Sequence, residues 1–278
     1  MIYRIAKLLN HNSFIGIESG AKQECLIMGK GIAFGKKIGQ TIEVPQDARI
    51  YSLKELTDRG DAREIINSVS PVCLELANEI LREAEAEFGD IDRSILFPIA
   101  DHLDFAIRRL QRGEQISNPL TEDIRILFYK EYKVAGCIAP MLKEKFQIEL
   151  DEHETGYIAL HVHSAIVDEK VSQAMEIART VRECISLVEK ETGNSIDVMS
   201  LAYNRLMNHV RYMVARTIHG EKLKMNLNDY MSVKFPEAFH ASERICREME
   251  KRLGLPMPDI EIGYLAMHLE RMLDSETE

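Results

Sequence analysis

The chain repeats itself. Asp101-His102-Leu103-Asp104-Phe105 returns as Asn208-His209-Val210-Arg211-Tyr212, and Gly156-Tyr157-Ile158-Ala159-Leu160-His161 returns as Gly263-Tyr264-Leu265-Ala266-Met267-His268. Both pairs are offset by 107 positions, and the two histidines of each copy stand 59 apart, so the copies align without a gap. The same offset carries Gly113-Glu114 onto Gly220-Glu221, Leu120 onto Leu227 and Phe128 onto Phe235. Such a duplication confines most of the chain to two like domains of about a hundred residues each, expected at residues 65–170 and 171–278.

The period inside the copies is helical. Leu103, Ala106, Ile107 and Leu110 follow the i, i+3, i+4, i+7 spacing of one helix face, and Gly113 is placed to end that helix. Asp151 with Glu154 three residues on has the form of a capping box, after which Ile158, His161, Val162 and Ala165 share one face. The first residues read differently. Asn10-His11-Asn12 and Ser19-Gly20 are turn signals between short strands at 1–9, 13–18 and 23–28, and glycines 29, 31, 35 and 39 punctuate the stretch after the third strand. The expected architecture is multidomain: a small antiparallel β domain at residues 1–56, a polar linker at Thr57–Asp61, then two duplicated all-α helical bundles. Four short strands bury too little to be comfortable alone, so a homodimer is expected.

Charge separates the same two parts. The chain carries a net charge of −10, yet residues 1–56 hold eight Lys/Arg against five Asp/Glu, leaving 27 basic and 40 acidic residues for the rest. A basic module on an acidic body is the pattern of a polyanion-binding domain. The apolar stretch around Val134 to Leu142 is too short to span a bilayer, and Arg4, Lys7 and Asn10 interrupt any signal-like start. The five cysteines (25, 73, 137, 184 and 246) are scattered without a C-x-x-C, which fits a reducing cytoplasm.

A single histidine on an apolar helix face is usually packing. Here four of nine histidines occupy two equivalent places in both copies, while neighbouring apolar types have been exchanged, as Leu160 for Met267. His102, His161, His209 and His268 are therefore read as retained for imidazole chemistry. Zinc is disfavoured: H-E-x-x-H is absent, His161 and His163 project to different sides of a helix, and no cysteine accompanies either pair. Phosphorylation fits better, because a neutral ring nitrogen is nucleophilic near pH 7 and the group adds roughly −1.5 to −2 charges. Asp101 is a candidate to orient His102, although Asn208 stands at the matching place.

Residues 28–37, Met-Gly-Lys-Gly-Ile-Ala-Phe-Gly-Lys-Lys, combine glycines, cations and one aromatic. Glycine lets a backbone approach a ligand, lysine meets phosphate, and an exposed Phe stacks on an unpaired base. The competing reading is a Gly-rich hairpin with Phe34 in its core. No Walker phosphate loop or Rossmann fingerprint is present.

Together with Lys7 and Asn10-His11-Asn12, this run resembles the co-antiterminator RNA-binding domain of the BglG/SacY transcriptional antiterminators, and the copies resemble their paired PTS regulation domains. The run Gly29 to Lys37 is similar to that of the glucose-responsive branch. The resemblance covers essentially the whole chain in order. It implies a cytoplasmic dimer that binds a leader-transcript hairpin of a sugar-utilisation operon and so blocks a terminator. Carried over by motif, Lys7, Asn12, Gly29, Lys30, Gly31 and Phe34 are the implied RNA contacts, with Lys30 where many relatives have Arg. The implied phosphorylation sites are His102, His161, His209 and His268, with the phosphocarrier HPr and a sugar-permease enzyme IIB as partners. Neither cofactor nor metal is implied, and the expectation is a regulator rather than an enzyme. The alternatives are a histidine-based phosphotransferase or metal-binding helical enzyme, a DNA-binding regulator, which needs a basic recognition helix, and a plain helical scaffold.

Overall fold

A computed structural model of the chain describes every residue except 55, 58–59, 168, 194–195, 197–199, 222 and 275–278. It begins with an antiparallel sheet of five strands, in the order β4-β1-β2-β3-β5, formed by β1 (Ile2–Asn10), β2 (Ser13–Glu18), β3 (Glu24–Met28), β4 (Thr41–Glu43) and β5 (Arg49–Ser52). The expectation was four strands. The fifth, Arg49–Ser52, is defined by its pairing with β3, Leu26 opposite Tyr51 and Ile27 opposite Ile50, rather than by a pattern of its own.

One core cluster of this sheet gathers Tyr3, Ile5, Phe14, Ile27, Ala33, Ile42 and Val44. Strict alternation along β1 would send Lys7 to the same side as Tyr3 and Ile5. A β-bulge between Ile5 and Lys7 reverses the phase, so Lys7 is exposed and Leu8 packs against the core instead. Gly16 is required where the hairpin crosses this cluster, because a Cβ there would lie 2.6 Å from Ile27 Cδ1. At the expected linker, Thr57–Asp61, the strand Leu56–Thr57 (β6) pairs with Gly60–Asp61 (β7), while Asp58 and Arg59 lie outside the described residues.

Twelve helices follow among the described residues: α1 (Ala62–Ser68), α2 (Pro71–Phe88), α3 (Leu96–Gln111), α4 (Thr121–Leu127), α5 (Tyr129–Ala135), α6 (Ala139–Phe146), α7 (Glu152–Ile166), α8 (Val171–Thr192), α9 (Leu201–His219), α10 (Asn228–Lys234), α11 (Pro236–Leu253) and α12 (Ile260–Asp274). Their ends follow local chemistry. Asp151 accepts from the Glu154 N–H at 2.8 Å to start α7, and Ser200 accepts from the Tyr203 N–H at 3.0 Å to start α9. Gly220 closes α9 at φ 70°, and Gly113, its counterpart by the offset, follows α3 at φ 73°.

The chain forms two compact units. The first comprises residues 1–118 and 130–171; the second comprises 119–129 and 172–278. In the first, the sheet rests on helices: the Tyr51 hydroxyl donates to Asn78 on α2 at 2.7 Å, and the Tyr51 ring meets Phe97 on α3 edge-on. In the second, α10 and α12 pack together with α9 and α11. This unit also takes α4, the counterpart of α10 by the offset. Arg182 pairs with Asp123 at 3.0 Å, and Arg211 donates to the Leu127 carbonyl at 2.7 Å while lying over the Phe128 ring.

Candidate functional site

The four repeated histidines meet as two pairs. His102 on α3 and His161 on α7 approach with ring centroids 5.4 Å apart, tilted by 47°; His209 on α9 and His268 on α12 stack at 4.4 Å and 22°. A tyrosine flanks each pair, Tyr157 at 5.9 Å from His102 and Tyr264 at 6.3 Å from His209. Residues 59 apart in sequence come together because each copy folds the same two helices against each other. The pairs differ in burial: His102 and His161 are buried, whereas His209 and His268 are half-buried.

Each copy also holds a buried ion pair that the sequence reading missed. Arg109 pairs with Glu154 in the first copy, and Arg216 grips Glu261 through two bonds of 2.7 and 2.8 Å in the second. Both carboxylates are buried. The signal was available, since Arg109 to Arg216 and Glu154 to Glu261 share the offset of 107. Glu154 faces His102, its Oε2 lying 3.2 Å from Nε2. His163 projects away from His161, as its two-residue spacing requires, with Nδ1 3.0 Å from Glu131.

Burial, the charge of a protonated His268 and that of Arg216 push the His209 pKa from 6.5 down to about 3. Burial, with Arg271 and Arg205 nearby, also lowers His268. Both rings are therefore neutral at pH 7 and keep a nucleophilic lone pair. A consequence concerns stability. The native state binds fewer protons than the unfolded chain between about pH 6.5 and about 3, so the contribution of a neutral His209 is complete above that window. It is lost as pH falls, by up to about 1.4 kcal/mol per pH unit. His209→Phe is expected to flatten this part of a urea-unfolding pH series; identical slopes for the two proteins would show that His209 titrates normally.

The candidate nucleic-acid residues gather at one end of the β1–β2 hairpin. Asn12 Oδ1 accepts from the Gly31 N–H at 2.8 Å, and the Gly29 N–H donates to the Asn12 carbonyl at 2.9 Å, which docks the Gly-rich segment on the turn. Gly31 adopts φ 67°, where a side chain is strained. Phe34 is 69% exposed and meets the His11 ring in a T-shaped contact, so it is not the core residue of the competing reading. Lys7 and Lys30 are exposed on the same segments. This surface thus carries glycine backbone, lysines and an exposed aromatic ring.

The model of the CAT RNA binding domain matches residues 3–59, and that of the PRD domain matches residues 63–165 and again 182–272. The transcription antiterminator LicT of Bacillus subtilis is 27% identical over 274 residues, spanning 97% of this chain and 99% of its own. The protein GlcT of Staphylococcus haemolyticus is 26% identical, spanning 96% and 95%. The beta-glucoside operon antiterminator of Dickeya chrysanthemi is 26% identical, spanning 97% and 96%. Among solved structures, the crystal structure of GlcT CAT-PRDI superposes with a TM-score of 0.51 at 28% identity, over 60% of this chain and 99% of that one.

Proposed function

This chain belongs to the family of PRD-domain proteins, with a CAT RNA-binding domain ahead of two PRD domains, and we propose on that premise that it is an RNA-binding transcriptional antiterminator of a sugar-utilisation operon. Acting in the cytoplasm as a homodimer, it binds a hairpin in the nascent leader transcript and prevents an overlapping terminator from forming. Lys7, Asn12, Gly29, Lys30, Gly31 and Phe34 form the RNA contacts in this reading. The observation that carries the regulatory part is the recurrence of a histidine pair and a buried Arg–Glu pair in both PRD domains.

His102, His161, His209 and His268 are the proposed phosphoryl acceptors, with HPr and a sugar-permease enzyme IIB as donors. A ring nitrogen attacks the donor's phosphorus and the bond to the donor breaks, leaving a dianionic group beside a second imidazole. Roughly −1.5 to −2 charges placed there compete with Glu154 or Glu261 for Arg109 or Arg216, and the helices that carry them must repack. The reading is regulatory: the protein accepts the group as a signal rather than turning over a substrate.

Incubation of the chain with phosphorylated HPr or enzyme IIB tests this by intact mass. Acid-labile phosphoryl groups are expected, and they should disappear as His102, His161, His209 and His268 are each changed to alanine. Unchanged uptake in the fourfold variant, or none in the native chain, contradicts the assignment.

A further inference from the structure

Part of the nucleic-acid face is already occupied from within its own unit. The side-chain amides of Asn10 and Asn12 both donate to one oxygen of Glu75 on α2, at 3.0 and 2.9 Å, across 65 and 63 residues of sequence. The other carboxylate oxygen accepts from Lys145 at 2.9 Å. Beside them the Lys7 ammonium donates to Asn67 on α1 at 2.7 Å. Three polar groups from one end of the hairpin, two of them candidate RNA contacts, are thus held by helical side chains.

The geometry leaves Asn12 little choice. Its side-chain Oδ1 is committed to the Gly31 N–H, so its NH₂ is the end left for an outside acceptor, and Glu75 takes it. Although burial alone raises it, bonds from Asn12 and Lys145 hold the Glu75 carboxyl below the ordinary carboxylate range, so it is an anion at neutral pH. An anionic oxygen receiving N–H donors from Asn is what a nucleic-acid phosphate would offer the same groups. Phe34 and Lys30, by contrast, stay exposed, so this face is only partly covered.

We propose that Glu75 is an intramolecular latch on the RNA-binding face, competing with RNA acceptors for Asn10 and Asn12 and holding the unmodified chain in a form of reduced affinity. The proposal rests on the antiterminator reading and adds a regulatory contact to its RNA site. Opening requires the carboxylate to give up both amides while keeping Lys145. Apparent affinity falls with the fraction of molecules open, so a latch closed nine times in ten weakens binding about tenfold.

The test is equilibrium binding of the full, unphosphorylated chain to a leader-type RNA hairpin with internal loops, comparing the native chain, Glu75→Ala and Glu75→Gln. Glu75→Ala is expected to bind about tenfold tighter. Glu75→Gln keeps one acceptor without the charge and is expected to show a smaller gain. Circular dichroism and the urea midpoint establish that each variant is folded, and Glu75→Gln carries the test should the alanine variant unfold. Equal or weaker binding by the folded variants overturns the latch and leaves the function standing. No RNA binding by any of the three chains overturns the antiterminator reading, and the latch with it.

Discussion

Arg216→Ala is expected to destabilise the second compact unit by about 3–5 kcal/mol, the range for stranding one partner of a buried ion pair. The carboxylate left behind is Glu261, 1% exposed, which loses both of its 2.7 and 2.8 Å bonds at once. The carboxyl must then remain charged in a low dielectric or take up a proton at a cost. Substitution at an exposed pair such as Lys251–Glu248 is expected to change stability by less than about 1 kcal/mol. Urea unfolding of the two variants at pH 7 measures the difference. The double change Arg216→Met with Glu261→Leu separates charge from packing: replacing both partners with apolar groups should recover most of the loss. A loss below about 1 kcal/mol for Arg216→Ala would mean that Glu261 is solvated and the pair is peripheral.

Phe34→Ala is expected to weaken RNA binding by about 1–3 kcal/mol, the worth of one base stacked on an aromatic ring, which is roughly five- to 150-fold. Its fold should be unchanged, because a side chain 69% exposed contributes little to the core. Salt supplies a second readout. Removing Phe34 takes away no charge, so the slope of affinity against salt should stay as it was, whereas Lys30→Ala should reduce it by roughly one released counterion. A Phe34→Ala chain that binds RNA normally would return Phe34 to the status of an incidental surface residue. The same substitution in the Glu75→Ala background removes the latch as a limit on the affinity.

The parts of this architecture that were legible in the sequence are those carried by repetition or by short local chemistry. An offset of 107 with no gap marked the four histidines, and Asp151 with Glu154 marked the start of α7. The Arg109–Glu154 and Arg216–Glu261 pairs shared that offset and were still missed. Glu154 was already accounted for as a capping residue, and no periodicity says that a helix-interior arginine turns inward to a helix far along the chain. The bulge that frees Lys7 is set by the register of two strands, which a single strand does not disclose. Strand β5 exists through its pairing with β3. The duplication likewise gives no hint that residues 119–129 join the second unit, since α10 at the equivalent place packs on α12 within its own copy. That arrangement depends on Arg182 and Arg211 reaching Asp123 and Leu127.

The most direct test of the central claim is a comparison of RNA and DNA. Residues 1–56, whose sheet carries its own core cluster, and the full chain would each be titrated with leader-type RNA hairpins bearing internal loops and with matched DNA hairpins, across a range of salt. RNA binding that weakens with salt, is not reproduced by DNA, and is stronger for residues 1–56 than for the latched full chain is the expected result. No preference for RNA in either protein across a broad hairpin set would contradict the account, leaving a pair of histidine-bearing PRD domains without the transcript they are proposed to control.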